Sequence, residues 1–310
     1  MVETIAKAGL AVNENTVIRR NRISNTNHSQ PSGKRVCIVT GTHGDELEGQ
    51  YVCAKVAEIL SEKTEFLNGT VDIYPALNPL GIDSINRGIP LFDLDMNRIF
   101  PGSPEGTMAE CLAADIINDL SGADICIDIH SSNIYLKEIP QVRINELNEE
   151  TLVPYARMLG CDFIWVHSSA TVLESTLAYS LNMTGTKTLV VEMGVGMRIT
   201  RKYGHQLING IFNLLKELGM WSGGAEAVTE SIVSSDHSIE FVNSSAAGIF
   251  VPCTDHWVDI KKGEHIGDVI DPVTGHTEET VLSPCSGKIF TLREFPVVYG
   301  GSLIARILGD

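Results

Sequence analysis

The chain has 310 residues, 43% of them hydrophobic, enough for one large domain and a small one around a sizeable core. Its 39 acidic residues outnumber 23 basic ones, and a net charge of −16 argues against nucleic acid or an anionic membrane as partners, because both need basic surface. No apolar run reaches the roughly 18–20 residues that span a bilayer, and the opening MVETIAKAGLAVNENTV lacks the charged-then-apolar order of a signal peptide, so a soluble cytoplasmic protein is expected.

Residues 1–30 are polar and mixed, and are expected to form an N-terminal extension, a short strand or two packing on the main domain. Over 31–220, strand-like and helix-like segments alternate. RVCIVTG (35–41) reads as a buried strand, and DELEGQYVCAKVAEILSEK (45–63) as a helix with acids in its first turn, where the helix dipole favours them. TVDIYPALN (70–78) is a strand, GTMAECLAADIINDL (106–120) a helix, and ADICIDIH (123–130) a strand. CDFIWVH (161–167) and TKTLVVEMG (186–194) are strands with a helix near 172–182 between them. RKYGHQLINGIFNLLKELG (201–219) is an amphipathic helix that stops at Gly219. This alternation predicts βαβ units and an α/β fold, a mainly parallel or mixed sheet flanked by helices. Between 221 and 237 the periodicity dissolves into Gly, Ser and Ala, and a linker is expected. Residues 238–310 read as a small all-β domain, with short strands between KKG, DPVTG and SPCSG turns. The seven cysteines include no CxxC pair and mostly lie in apolar runs, which predicts reduced, buried thiols.

His43 and Glu46 follow the first interior strand, and a helix beginning near residue 45 would bring both to one side of its first turn. In open α/β sheets that strand edge is where ligands bind. ADICIDIH ends on His130 at the same edge, with Asp128 two residues earlier, placed to orient it. Two His and one Glu match the ligand set of a catalytic zinc site that keeps one position open. The inverted HxxEH motif does not apply, because Leu47 follows Glu46. HxxE alone is a weak signal, and the conjunction with later segments carries the reading. The long segment 78–102 also begins at this edge and carries Arg87, Asn97 and Arg98 near Asp93 and Asp95. An arginine fork grips a carboxylate. Glu192 closes a β-branched strand among apolar residues, where a carboxylate can accept a proton from an attacking water and pass it to a leaving amine.

GTHGDELEG, NPLG with DLDMNRIFPG, CIDIH within ADICIDIH, and VVEMG together resemble the succinylglutamate desuccinylase and aspartoacylase family, over roughly residues 35–220 and in the family's order. The resemblance implies a zinc carboxypeptidase-like fold and one zinc ion per chain. It implies His43, Glu46 and His130 as metal ligands, Asn97 and Arg98 as the pair that binds the substrate carboxylate, and Glu192 as the general base. Arg87 resembles the arginine that polarises the scissile carbonyl, although its spacing to Asn97 varies among relatives. The C-terminal residues resemble a barrel-sandwich domain of the biotinyl/lipoyl type. Its candidate tip, DPVTGHTEET, has no lysine to modify, so a structural role is expected.

The resulting expectation is a deacylase that hydrolyses the amide of an N-acyl amino acid or a related small carboxylate-bearing amide. The same groups would serve a zinc carboxypeptidase acting on short peptides, or an esterase or lactonase. The expected partner is a small N-acylated molecule. The oligomeric state is left open, a homo-oligomer included.

Overall fold

The computed structural model describes residues 1–25, 32–169 and 173–309. The expected boundary between extension and main domain, at residues 30 and 31, and the expected helix start at 172 lie outside the described residues.

A hairpin opens the chain, β1 (Val2–Gly9) and β2 (Asn15–Ser24). It is followed by β3 (Arg35–Thr40), α1 (Glu48–Glu62) and β4 (Thr70–Tyr74). Along β3 successive side chains enter different cores, Val36 and Ile38 on one face, Cys37 and Val39 on the other. A strand apolar on both faces needs helices on both, and the chain supplies them. The short α2 (Pro79–Ser84), α3 (Met108–Leu120) and β5 (Ile125–His130) come next. Then follow β6 (Leu136–Asn145), α4 (Glu149–Met158), β7 (Phe163–His167), α5 (Leu177–Met183), β8 (Lys187–Gly194) and α6 (Arg201–Glu217). Helices α1, α4 and α6 cover one face of the sheet, and α3 and α5 the other.

The remaining strands are β9 (Ile232–Ser235), β10 (Ile239–Asn243), β11 (Gly248–Pro252), β12 (Val258–Ile260), β13 (His265–Ile270), β14 (Thr277–Leu282), β15 (Gly287–Arg293), β16 (Val297–Val298) and β17 (Leu303–Gly309). The main sheet runs β1-β2-β4-β3-β5-β8-β6-β15-β17-β10, and a second sheet runs β14-β13-β11-β16. Strands β4, β3, β5 and β8 are mutually parallel, while β2 and β6 flank them antiparallel, so the sheet is mixed. The C-terminal strands have a core of their own around Phe250, Ile266 and Ile304. They also continue the main sheet, because β15 pairs antiparallel with β6.

Four differences from the sequence reading bear on the site. Helix α1 starts at Glu48, later than expected, so residues 43–47 form a turn. The Glu48 carboxylate accepts the Thr200 N–H at 2.7 Å, and the turn is pressed against α2, where a Cβ on Gly44 would lie 2.0 Å from the Gly81 carbonyl carbon. Part of the expected loop 78–102 is helical, because Pro79 begins α2 and the Asn78 side chain caps it, accepting the Gly81 N–H at 2.9 Å. Strand β6 has no counterpart in the sequence reading. Within the expected linker, β9 pairs in parallel with β7. Of the cysteines, 37, 53, 126 and 161 are buried, whereas Cys253 is exposed just past β11.

The hairpin is fastened to the sheet by charge. Asp72 on β4 is fully buried and accepts from Arg22 Nε at 2.8 Å and Arg35 Nε at 2.7 Å. Burial pushes its carboxyl up, but the hydrogen bonds and charges of Arg22 and Arg35 outweigh this and hold it below the usual aspartate range. Its stabilising contribution is therefore complete above the unfolded aspartate pKa and is lost as pH falls through the depressed native one. Asp72→Ala leaves these arginines without their shared partner and is expected to cost about 3–5 kcal/mol in urea unfolding at neutral pH. A shift below 1 kcal/mol would show that the hairpin is held by packing alone.

Candidate functional site

The connection from β3 leads to β4 on one side, while β5 lies on the other. The chain's winding thus reverses between β3 and β5, and a crevice opens at their C-terminal ends. His43 lies just past β3, His130 is the last residue of β5, and Glu192 on β8 is the register partner of His130.

His43 Nδ1 is 2.8 Å from Glu46 Oε1, and His130 Nδ1 is 2.9 Å from Glu46 Oε2. One ligand atom from each of the three residues lies within 4.8 Å of the others. The far ring nitrogens face carboxylates: His43 Nε2 is 3.0 Å from Asp95 Oδ1, and His130 Nε2 is 3.2 Å from Asp128 Oδ2. Such carboxylates fix the ring orientation and leave the inner nitrogens to converge. Asp128 stands where the sequence places it, whereas the hold of Asp95 on His43 was not read from the sequence. All three inner residues are buried, and His43 Nδ1, although 2.8 Å from Glu46 Oε1, makes no hydrogen bond of acceptable angle among the described residues. Burial pushes the Glu46 carboxyl up, but His43 and His130 hold it well below the usual range. Two imidazole nitrogens, an ionised carboxylate and an orphaned ring nitrogen fit a divalent metal.

Asp95 also shapes the neighbouring loop. Its Oδ1 accepts the Asn97 N–H at 2.8 Å, capping the turn Met96–Arg98. Asn97 Oδ1 accepts the Leu177 N–H at 2.9 Å, which ties the turn to α5. Arg98 donates to the Asn97 carbonyl at 2.8 Å and has no carboxylate partner among the described residues. Arg87, in contrast, donates to Glu46 Oε1 at 2.8 Å and to the Ser132 carbonyl at 3.0 Å. All seven candidate residues, His43, Glu46, Arg87, Asn97, Arg98, His130 and Glu192, line one cavity of about 430 Å³. That is the size range of a small-molecule site.

Glu192 Oε2 accepts the Ser132 N–H at 2.6 Å, and Oε1 lies 3.2 Å from Arg143 Nη1. Burial raises its pKa, and the neighbouring Arg143 and His130 only partly offset this. The same cavity wall holds Arg143, Arg306 and His167, which sequence reasoning missed. Burial and the positive charge of Arg143 keep His167 neutral, its pKa pushed down to about 4. The one signal available was an arginine and a glutamate inside KEIPQVRIN, a segment otherwise apolar enough to be a strand.

A family model described as the succinylglutamate desuccinylase/aspartoacylase catalytic domain matches residues 32–218. Over 109 residues the chain is 32% identical to the N-alpha-acetyl-L-2,4-diaminobutyric acid deacetylase of Halomonas elongata; the match spans 35% of this chain and 31% of that protein. The chain thus spans about a third of that curated relative. A solved structure of a succinylglutamate desuccinylase/aspartoacylase from Rhodobacter sphaeroides is 25% identical, with a TM-score of 0.83 over 100% of this chain and 95% of that one. A succinylglutamate desuccinylase from a Silicibacter species is 20% identical, with a TM-score of 0.85 over 99% of this chain and 94% of that one, and shows the shared fold. No helix among the described residues is long and apolar enough to cross a membrane.

Proposed function

Because the chain belongs to the succinylglutamate desuccinylase/aspartoacylase family, we propose that it is a zinc-dependent amidohydrolase that deacylates an N-acyl amino acid or a related small carboxylate-bearing amide. The observation that carries the reading is the convergence of His43, Glu46 and His130 beside Glu192, in a cavity that also presents Arg98, a cation with no carboxylate partner among the described residues. Zinc held by these three residues, one ion per chain, would supply a Lewis acid that polarises the carbonyl and acidifies water.

The chain's own groups do the rest. Arg98 and Asn97 hold the substrate carboxylate, which sets the scissile amide against Glu192 before chemistry begins. Glu192 accepts a proton from the attacking water as the new C–O bond forms. Arg87 faces the carbonyl oxygen as negative charge develops there, a contribution of about 3–4 kcal/mol for such a donor. Glu192 returns the proton to the nitrogen as the C–N bond breaks, releasing a carboxylic acid and an amine. The cavity volume favours a small substrate over an extended peptide. The Halomonas relative makes an N-acetylated, amine-bearing amino acid the first candidate to try.

The test is amine release from N-acetyl, N-succinyl and N-formyl amino acids, short peptides and esters, by zinc-loaded and by chelator-treated protein. Release from one acyl class, lost on chelation, supports the proposal. Release from peptides alone moves the reading to a carboxypeptidase, and hydrolysis of esters alone to an esterase. For the substrate found, Arg98→Met is expected to raise KM roughly 10- to 100-fold with kcat little changed, as loss of a charged hydrogen bond worth about 1.5–3 kcal/mol implies. An unchanged KM would remove Arg98 from carboxylate binding.

A further inference from the structure

We propose that Arg143 is a positioning residue for Glu192, and that it is clamped from the C-terminal part of the chain through Glu138 and Arg306. The inference rests on the reading of Glu192 as the general base.

Arg143 lies on β6, the strand paired antiparallel with β8, where Gln141 is the register partner of Glu192. Its Nη1 lies 3.2 Å from Glu192 Oε1, while its Nη2 donates to Glu138 Oε2 at 2.6 Å. The other oxygen of Glu138 accepts from Arg306 Nη1 at 2.6 Å, and Arg306 lies on β17. Gln141 Nε2 adds a third bond to Glu138 at 2.7 Å. Glu138 is fully buried, and both guanidinium groups lie over the Trp165 ring, at 5.5 Å for Arg143 and 5.4 Å for Arg306. The Arg143 plane is therefore fixed at one end by Glu138 and on one face by indole.

The consequence falls on Glu192. Ser132 N–H fixes one oxygen from the loop after β5, and Arg143 faces the other from β6. Two points of attachment from opposite sides leave the carboxylate little freedom to turn, so its remaining lone pairs keep one direction. Burying an ion-pair chain of this kind seldom adds net stability over apolar packing. Fixing a base to within a fraction of an ångström can, in contrast, be worth about 100-fold in rate. Arg143 differs here from Arg98: both of its terminal nitrogens face protein carboxylates and are not left for a substrate anion.

The experiment compares zinc-loaded full-length wild type with Arg143→Met, Arg143→Lys, Arg306→Met, Glu192→Gln and the Arg143→Met/Glu192→Gln double variant. The probe is the N-acetyl amino acid that gives the fastest amine release in the panel above. Zinc content and thermal midpoint are read alongside rates. Arg143→Met is expected to lower kcat about 100-fold with KM within about threefold. Lysine recovers part of the loss, Arg306→Met loses less in the same direction, and the double variant is no slower than Glu192→Gln alone. Should Arg143→Met fail to fold, Arg143→Lys and Arg306→Met carry the comparison. Wild-type kcat in Arg143→Met, a rise in KM with kcat unchanged, or multiplicative losses in the double variant would overturn the inference. Wild-type turnover in Glu192→Gln is a different failure, because it removes the base reading itself.

Discussion

Glu192→Gln should lower kcat about 1,000-fold while zinc content, fold and KM stay close to wild type. General acid–base groups typically contribute 10²–10⁴-fold, and the amide keeps the shape of the carboxylate but cannot take up a proton. The variant retains an oxygen for the Ser132 N–H, so the loop after β5 has no reason to move. The wild type should also show an acid limb. Burial raises the Glu192 pKa, and its working form is the anion. kcat/KM is therefore expected to fall at acid pH as Glu192 takes up a proton, with the limb absent from the residual activity of Glu192→Gln. A variant that retains a tenth or more of the wild-type rate would exclude Glu192 as the base.

The second large effect belongs to the proposed metal ligands. His130→Ala should abolish measurable turnover and leave the purified protein with almost no zinc by elemental analysis. It removes one of the three proposed ligands and also strips Asp128 and Glu46 of the partner they face. Asp95→Asn should be milder, a 10- to 100-fold loss of metal affinity or activity, because it loosens the His43 ring without removing a ligand. Turnover in His130→Ala equal to wild type, or zinc retained at one ion per chain, would mean that the metal sits elsewhere.

That His43, Glu46, His130 and the loop residues share one cavity was legible in the sequence because topology does most of the placing. β-Branched runs ending in His130 and just before His43 become parallel neighbours, and the edge of a parallel sheet gathers whatever follows its strands. The DLDMNR segment drew notice for its charges and its arginine, and the structure sets Asn97 and Arg98 on the wall of the same cavity. What Asp95 does for His43 was not, since a 52-residue separation leaves no periodic trace. Arg143 was hidden for a different reason. The register of β6 against β8 shifts between Glu138 and Gln141, so Glu138 and Arg143 meet although they stand five apart on a strand, where odd spacing ordinarily sends side chains to opposite faces. Arg306 lies 168 residues from the glutamate it binds. The start of α1 was misplaced because acids at 45, 46 and 48 all suit a first helical turn, and the choice among them rests on distant contacts, the packing of Gly44 on α2 and the Thr200 N–H on Glu48.

The pairing of β15 with β6 has a bearing on biosynthesis. During translation, β6 emerges long before residues 287–309, and until those are made its outer backbone groups have no partner along Leu136–Glu138. A nascent chain halted near residue 220 would hold a nearly complete α/β core with one raw sheet edge, the kind of surface that recruits other chains. The same chain would lack Arg306, and Glu138 would face Arg143 alone. Assembly of the Arg143–Glu138–Arg306 network is thus tied to synthesis of β15 and β17, long after β6 has been made.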